Sequence, residues 1–236
     1  MTAQAGTASR PEPTGRTRPG GMVRALLLSA GIAAVGVYAV GDVVSGLLYD
    51  GYSFRDQAIS ELSAYGSPVR PLMVTVIAVH GLFGAAFGVG VWLAADGYKA
   101  LRATAAFLLA AGVVTLPLHP FFPMSSRGME TGFNDTMHII LTMAFGFLVF
   151  GAVASSVVVY RGWFRLFAAL SLAIITVFGA LAGNAVQGIE EGLPTPGLGA
   201  FERVNAYVFF LWIVVLAATS LNRMSDGVQV PAEPAR

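Results

Sequence analysis

The chain contains no cysteine, which excludes disulfides, thiolate zinc sites, iron–sulfur clusters and cysteine nucleophiles. Charge is nearly as scarce. Asp, Glu, Lys and Arg make up 11% of the residues, against roughly 25% in an average globular domain. Histidine occurs three times, at His80, His119 and His138. There is no phosphate-cradling motif, so any transport is ion-coupled or passive, and no internal repeat. A chain this poor in charge cannot clothe an ordinary water-exposed surface. Hydrophobic residues make up 56% and the mean hydropathy is +0.70. That composition describes an all-α polytopic membrane helix bundle, and the lipid bilayer is its first partner.

Six apolar runs are long enough, or nearly so, to cross the hydrocarbon at 1.5 Å per residue. They cover residues 25–48, 71–94, 103–118, 135–160, 166–186 and 201–221. The first is too long for a signal-peptide core and lacks a cleavage pattern, so it stays as an anchor. Residues 1–21 and 223–236 read as polar, disordered tails around a transmembrane domain over 22–222. Between the first two spans, Ile59, Leu62, Ala58 and Tyr65 recur at helical spacing among Ser60, Glu61 and Ser63, which predicts a short interfacial helix ended by Gly66 and Pro68. Pro117 and Pro120 stop the third helix near His119. Gly84-Ala-Ala-Phe-Gly88 and Gly179-Ala-Leu-Ala-Gly183 are small-xxx-small patterns. A large residue at Gly84 or Gly179 is expected to force packed helices apart.

Charge asymmetry sets the expected orientation. Of 14 Lys and Arg, all but Arg55, Arg70, Arg127 and Arg203 fall on the side that carries both termini. The positive-inside rule makes that side cytoplasmic and predicts a multi-pass protein of the cell membrane with both termini inside. Asp50, Asp56, Glu61, Glu130, Asp135, Glu190, Glu191 and Glu202 gather on or beside the opposite loops. The polar chemistry is therefore expected at the extracytoplasmic face.

The densest polar stretch joins the third and fourth spans and reads HPFFPMSSRGMETGFNDTMH, from His119 to His138. Ionisable groups at the mouth of a helix bundle are functional candidates by default. Asp135 and His138 are three apart and share a helix face. With His119 they form a two-imidazole, one-carboxylate set that can hold a divalent metal. The structural alternative has Asn134 capping the helix, Asp135 complementing its dipole and the histidines bonding across the loop. His80 lies roughly 14 Å into the second span, where a histidine needs a partner; with His138 it is a conceivable haem pair, although at a different depth. Ser60 and Glu61 are a nucleophile and acid pair, or Glu61 pairs with Arg127, or both lie on a solvated helix face. Asp42 sits in the outer part of the first span, and Glu202, Arg203 and Asn205 open the sixth.

With ISELSAYGSP after the first span, HPFFP with NDTMH downstream, and GAFERVN before the last, the sequence resembles the domain-of-unknown-function 998 family of six-span prokaryotic membrane proteins. The resemblance covers about residues 25–221 and rests on Ser60, Glu61, Leu62, Gly66, His119 to Pro123, His138 and Glu202. The glycine usual after ISEL is Ser63 here. It implies the six-span topology and a site at these residues, and names no substrate.

Three functional expectations follow. The first is an outward-facing, histidine-containing polar cavity that binds a small molecule or lipid head group through Ser60, Glu61, His80, His119, Arg127, Asp135, His138 and Glu202. The second is a membrane-embedded metal-dependent hydrolase of a lipid or acyl substrate, its divalent metal held by His119, Asp135 and His138. The third is a scaffold that uses the glycine faces.

Overall fold

The computed structural model describes residues 20–225, apart from the side chains of Pro117, His119 and Ser225. The described residues are all-α, with six long helices: α1 (Gly21–Leu48), α2 (Arg70–Ala94), α3 (Lys99–Phe121), α4 (Phe133–Val159), α5 (Trp163–Ala185) and α6 (Leu198–Ser225). Each contains a segment long and apolar enough to cross a membrane. Successive helices pack on one another and α6 returns to α1, so the six form a ring in chain order. The turns at 95–98 and 160–162 are short, whereas 49–69, 122–132 and 186–197 are long. One end of the bundle is therefore rich in loops and the other bare.

The helices are apolar all round because both solvents they meet, lipid and core, are apolar. Leu26, Phe147 and Leu170 point outward and are well exposed, while Leu28, Phe87, Val91, Trp212 and Leu216 are fully buried. The buried set forms one cluster from the middle of the bundle to the bare end. There Tyr160 packs on Phe164, and the Arg223 guanidinium lies 4.6 Å over the Tyr160 ring.

Helix backbones approach closely between α1 and α2, where a Cβ on Gly90 would sit 2.9 Å from the Leu28 nitrogen, and between α2 and α3. A Cβ on Gly88 would sit 2.6 Å from the Leu109 nitrogen, and one on Gly112 would sit 2.5 Å from that of Ala85. The backbones touch, so only glycine fits at either position. Gly84 is different: its Cβ would meet only the Gly112 Cα, at 3.9 Å. Gly179 faces the Asn205 amide and Gly183 has open space. The tightest backbone contacts of the Gly84–Gly88 pattern thus fall on Gly88 and on Gly112 opposite it, with Gly84 at ordinary contact distance from α3.

Other boundaries also shift. Gly21 already belongs to α1 and α6 runs to Ser225, so the inner ends of both expected tails are helical; the remainder of each tail lies outside the described residues. Helix α3 continues past His119 to Phe121, where Phe122 N–H still reaches the Leu118 carbonyl at 3.0 Å. The interfacial helix is a five-residue 3-10 turn, Ile59–Ser63, with Glu61 and Leu62 buried. Its apolar face packs on Met73, Val76 and Ile77 of α2 instead of lying along lipid. Loop ends pull it inward, as described below.

Gly88→Val is expected to destabilise the bundle by about 1–3 kcal/mol through overpacking against backbone that cannot yield. Gly84→Ala is expected to be near neutral. Thermal unfolding of the two variants in detergent checks the contrast; equal losses would contradict it.

Candidate functional site

The loop-rich end is built around a buried ion pair between α1 and α6. Arg203 Nη2 donates to Asp42 Oδ1 at 2.7 Å and Arg203 Nε to Asp42 Oδ2 at 3.1 Å. Tyr207 adds its hydroxyl to the same Oδ2 at 2.9 Å. The other guanidinium protons reach the Tyr52 hydroxyl, the Phe54 carbonyl at 2.8 Å and the Gly199 carbonyl at 3.3 Å. Every N–H of Arg203 therefore has an acceptor, the condition for burying a guanidinium. The Phe54 ring lies 4.8 Å beneath it. Burial pushes the Tyr52 phenol above its usual range, against the pull of Arg203. It stays protonated and donates to the Ala58 carbonyl at 2.9 Å.

This pair draws the first long loop over the bundle. Ala200 N–H bonds the Arg55 carbonyl at 2.9 Å, and a Cβ on Gly199 would press into the Phe54 carbonyl at 2.6 Å. Only glycine lets α6 start this close to the loop. Glu202 Oε2 accepts the Ile59 N–H at 2.6 Å, fixing the 3-10 turn from below. On its other side Glu61 meets Arg127 as a two-point pair: Nη2 to Oε1 at 2.8 Å and Nε to Oε2 at 3.2 Å. Arg127 also binds the Leu193 carbonyl at 2.7 Å and the Thr195 hydroxyl at 2.9 Å. Thr195 passes its own proton to the Asp56 carbonyl at 2.7 Å. Three loops and two helices are thereby laced into one polar cap.

The sequence candidates divide accordingly. Glu61, Arg127 and Glu202 come together in this cap, and the pairing of Glu61 with Arg127 is the arrangement present. Glu61 is 5% exposed, so it does not lie on a solvated face. The Ser60 carbonyl accepts the Ser63 hydroxyl, while the Ser60 hydroxyl bonds no group among the described residues. Asp135 Oδ1 accepts Ser125 N–H at 2.6 Å, and Oδ2 accepts the Ser125 hydroxyl at 2.9 Å and Gly132 N–H at 3.0 Å. It thus caps its own helix from the first turn, whereas Asn134 reaches sideways to the Tyr65 hydroxyl at 3.0 Å. His138 Nδ1 donates to the Phe122 carbonyl at 2.8 Å. His119 belongs to the last turn of α3, and its side chain lies outside the described residues. No group of three His, Asp or Glu suited to a metal occurs among the described residues.

His80 stands apart from the cap, about 15 Å down α2 from Arg70 at the helical rise. Its Nδ1 lies 3.0 Å from the Ala34 carbonyl, and its ring contacts Tyr38 and Phe210 at 5.0 Å and 5.3 Å. It borders a small, partly open crevice inside the ring of helices. The walls are Gly31 and Ala34 of α1, Gly84 and Phe87 of α2, Leu108 and Gly112 of α3, with Phe145 of α4 and Phe209 of α6. Small residues leave the space and aromatic rings floor it.

A family model described as Protein of unknown function (DUF998) matches residues 13–219. The chain belongs to that family. No curated protein and no solved structure matches it. In this DUF998 chain, Ser60, Glu61, Leu62, Gly66 and Glu202, which carry the resemblance in sequence, all lie in or against the cap.

The Asp42–Arg203 pair escaped the list of sequence candidates. The signal was present: one acid inside the first apolar run and one arginine inside the last must find each other in lipid. Arg203→Met leaves Asp42 buried without its counter-ion and is expected to cost about 3–5 kcal/mol. Joint replacement by Asp42→Leu and Arg203→Met is expected to recover part of that. Detergent-phase unfolding midpoints measure both, and a wild-type midpoint for Arg203→Met would contradict the assignment.

Proposed function

We propose that this DUF998 protein binds a lipophilic small molecule in the crevice between its helices, beneath a cap that faces out of the cell. The supporting observation is the contrast between the two regions. In the cap, the polar side chains of Asp42, Arg203, Glu61 and Arg127 are spent on one another and on loop backbone. In the crevice, a small space is left open among small residues of α1, α2 and α3, bounded by Phe145 of α4 and Phe209 of α6, with one imidazole on its wall. Interiors are normally close-packed, so glycine and alanine walls mark the place where a slender apolar chain enters by parting the helices. The apolar walls suit a hydrocarbon that partitions from the bilayer, and the cap shields it from water. This reading moves the ligand from an outer polar cavity into the membrane interior. The orientation follows from the arginine and lysine count, with both termini in the cytoplasm.

Trp212 gives a direct test, because it is fully buried and stacks on Phe209 at 5.8 Å, and Phe209 lines the crevice. Trp92 and Trp163 are exposed toward lipid and are removed by Trp92→Phe and Trp163→Phe. In nanodiscs, 1-bromododecane is expected to quench Trp212 emission saturably. Gly84→Leu, which directs a side chain into the crevice, is expected to abolish the saturable component. Quenching that is linear and indifferent to Gly84→Leu would contradict the proposal.

A further inference from the structure

We infer that Arg70, at the loop-rich end of α2, seats the phosphate of an anionic phospholipid from the surrounding leaflet. The inference is independent of the crevice and starts from how the four arginines of this end are satisfied. Arg203 has an acceptor for every N–H, Arg127 holds Glu61, and Arg55 lies 3.6 Å from Asp56. Arg70 forms no ion pair among the described residues. Its one hydrogen bond runs from Nη2 to the Pro120 carbonyl at 3.5 Å, the outer limit for such a contact. Nε is buried without an acceptor. Nη1 bonds no group among the described residues and is not buried, so it opens to the surface. At most one of the guanidinium's five N–H protons is thus answered, and its charge is not. Capping the last turn of α3 accounts for the Pro120 contact, but a neutral carbonyl does not balance a cation.

The position of Arg70 selects the anion. Helix α2 has 25 residues, about 37 Å at the helical rise, against roughly 30 Å of hydrocarbon. Its first residue therefore stands at headgroup level, where phosphate is the anion at hand. Asp135, the acid that opens α4, is spent on Ser125 and Gly132 and leaves that place free. A second donor lies alongside. The exposed Tyr65 ring is 5.3 Å from the guanidinium carbon, and its hydroxyl accepts the Asn134 amide at 3.0 Å. That leaves the phenol proton for a phosphate oxygen. Backbone bonds hold Tyr65 there: its N–H reaches the Met124 carbonyl at 3.0 Å, and its carbonyl accepts the Ser126 hydroxyl. Phe121, the residue after Pro120, is also exposed and adds apolar surface for acyl chains. A zwitterionic lipid brings a second cation with its phosphate, whereas a lipid of net negative charge balances Arg70 outright.

The test compares two photoactivatable lipids on the full chain in phosphatidylcholine nanodiscs. One is a phosphatidylglycerol and the other a phosphatidylcholine, with equal chains and a diazirine near the glycerol of each. The phosphatidylglycerol is expected to label peptides spanning 65–72 and Phe121 about fivefold more strongly, the ratio one arginine near the surface contributes toward an anionic lipid. Arg70→Gln is expected to bring it down to the phosphatidylcholine level, while Arg102→Gln, at the bare end, leaves it unchanged. Equal labelling of these peptides by the two lipids, or a preference that survives Arg70→Gln, overturns the inference. Displacement of the label by excess inorganic phosphate overturns the lipid assignment in favour of a free anion. The lipid comparison needs no variant, so it stands even where Arg70→Gln fails to fold.

Discussion

The contact between Asp42 and Arg203 is the constraint on which the loop-rich end depends. Lipid offers neither charge a solvation shell, so each must be answered by protein. The answer is unusually complete for one side chain: the guanidinium meets a carboxylate, a phenol and two backbone carbonyls. Because these acceptors come from α1, the 49–69 loop and α6 itself, one residue fixes the relative positions of all three. The 3-10 turn then has only one place to go, between Glu202 below and Arg127 above.

The cap and the crevice are complementary consequences of the same packing. Hydrogen bonds hold the loops tightly at one end, and the cluster around Phe87, Trp212 and Leu216 closes the other. Between them α2 and α3 are pinned together by Gly88 and Gly112, so the wall cannot collapse inward by sliding those helices closer. A small space survives where small residues of α1, α2 and α3 face one another. His80 hangs in that space from a helix carbonyl, and two aromatic rings orient it.

Much of this was legible in the sequence, because hydropathy is written along the chain one residue at a time. Six spans, their order and the gathering of Glu61, Arg127 and Glu202 at one end follow from apolar length and loop charge. What the sequence concealed were the contacts across long separations. Nothing local says that Arg203 also reaches the Tyr52 hydroxyl and the Phe54 carbonyl, or that Arg127 holds Thr195 as well as Glu61. The interfacial helix shows the same difficulty: the spacing of Ile59 and Leu62 is helical, yet the face it buries is set by Glu202 and Arg127, far away in the chain. Glycine patterns likewise mark close packing without naming the partner, so Gly88 met the Leu109 backbone while Gly84 met only the Gly112 Cα at ordinary contact distance.

The central claim is that the crevice holds a lipophile in the native membrane, and native mass spectrometry of the chain purified in mild detergent tests it most directly. The account predicts one neutral, lipid-sized adduct per wild-type chain and none on Gly84→Leu prepared alongside. A bare wild-type chain, or the same adduct on both, would contradict it.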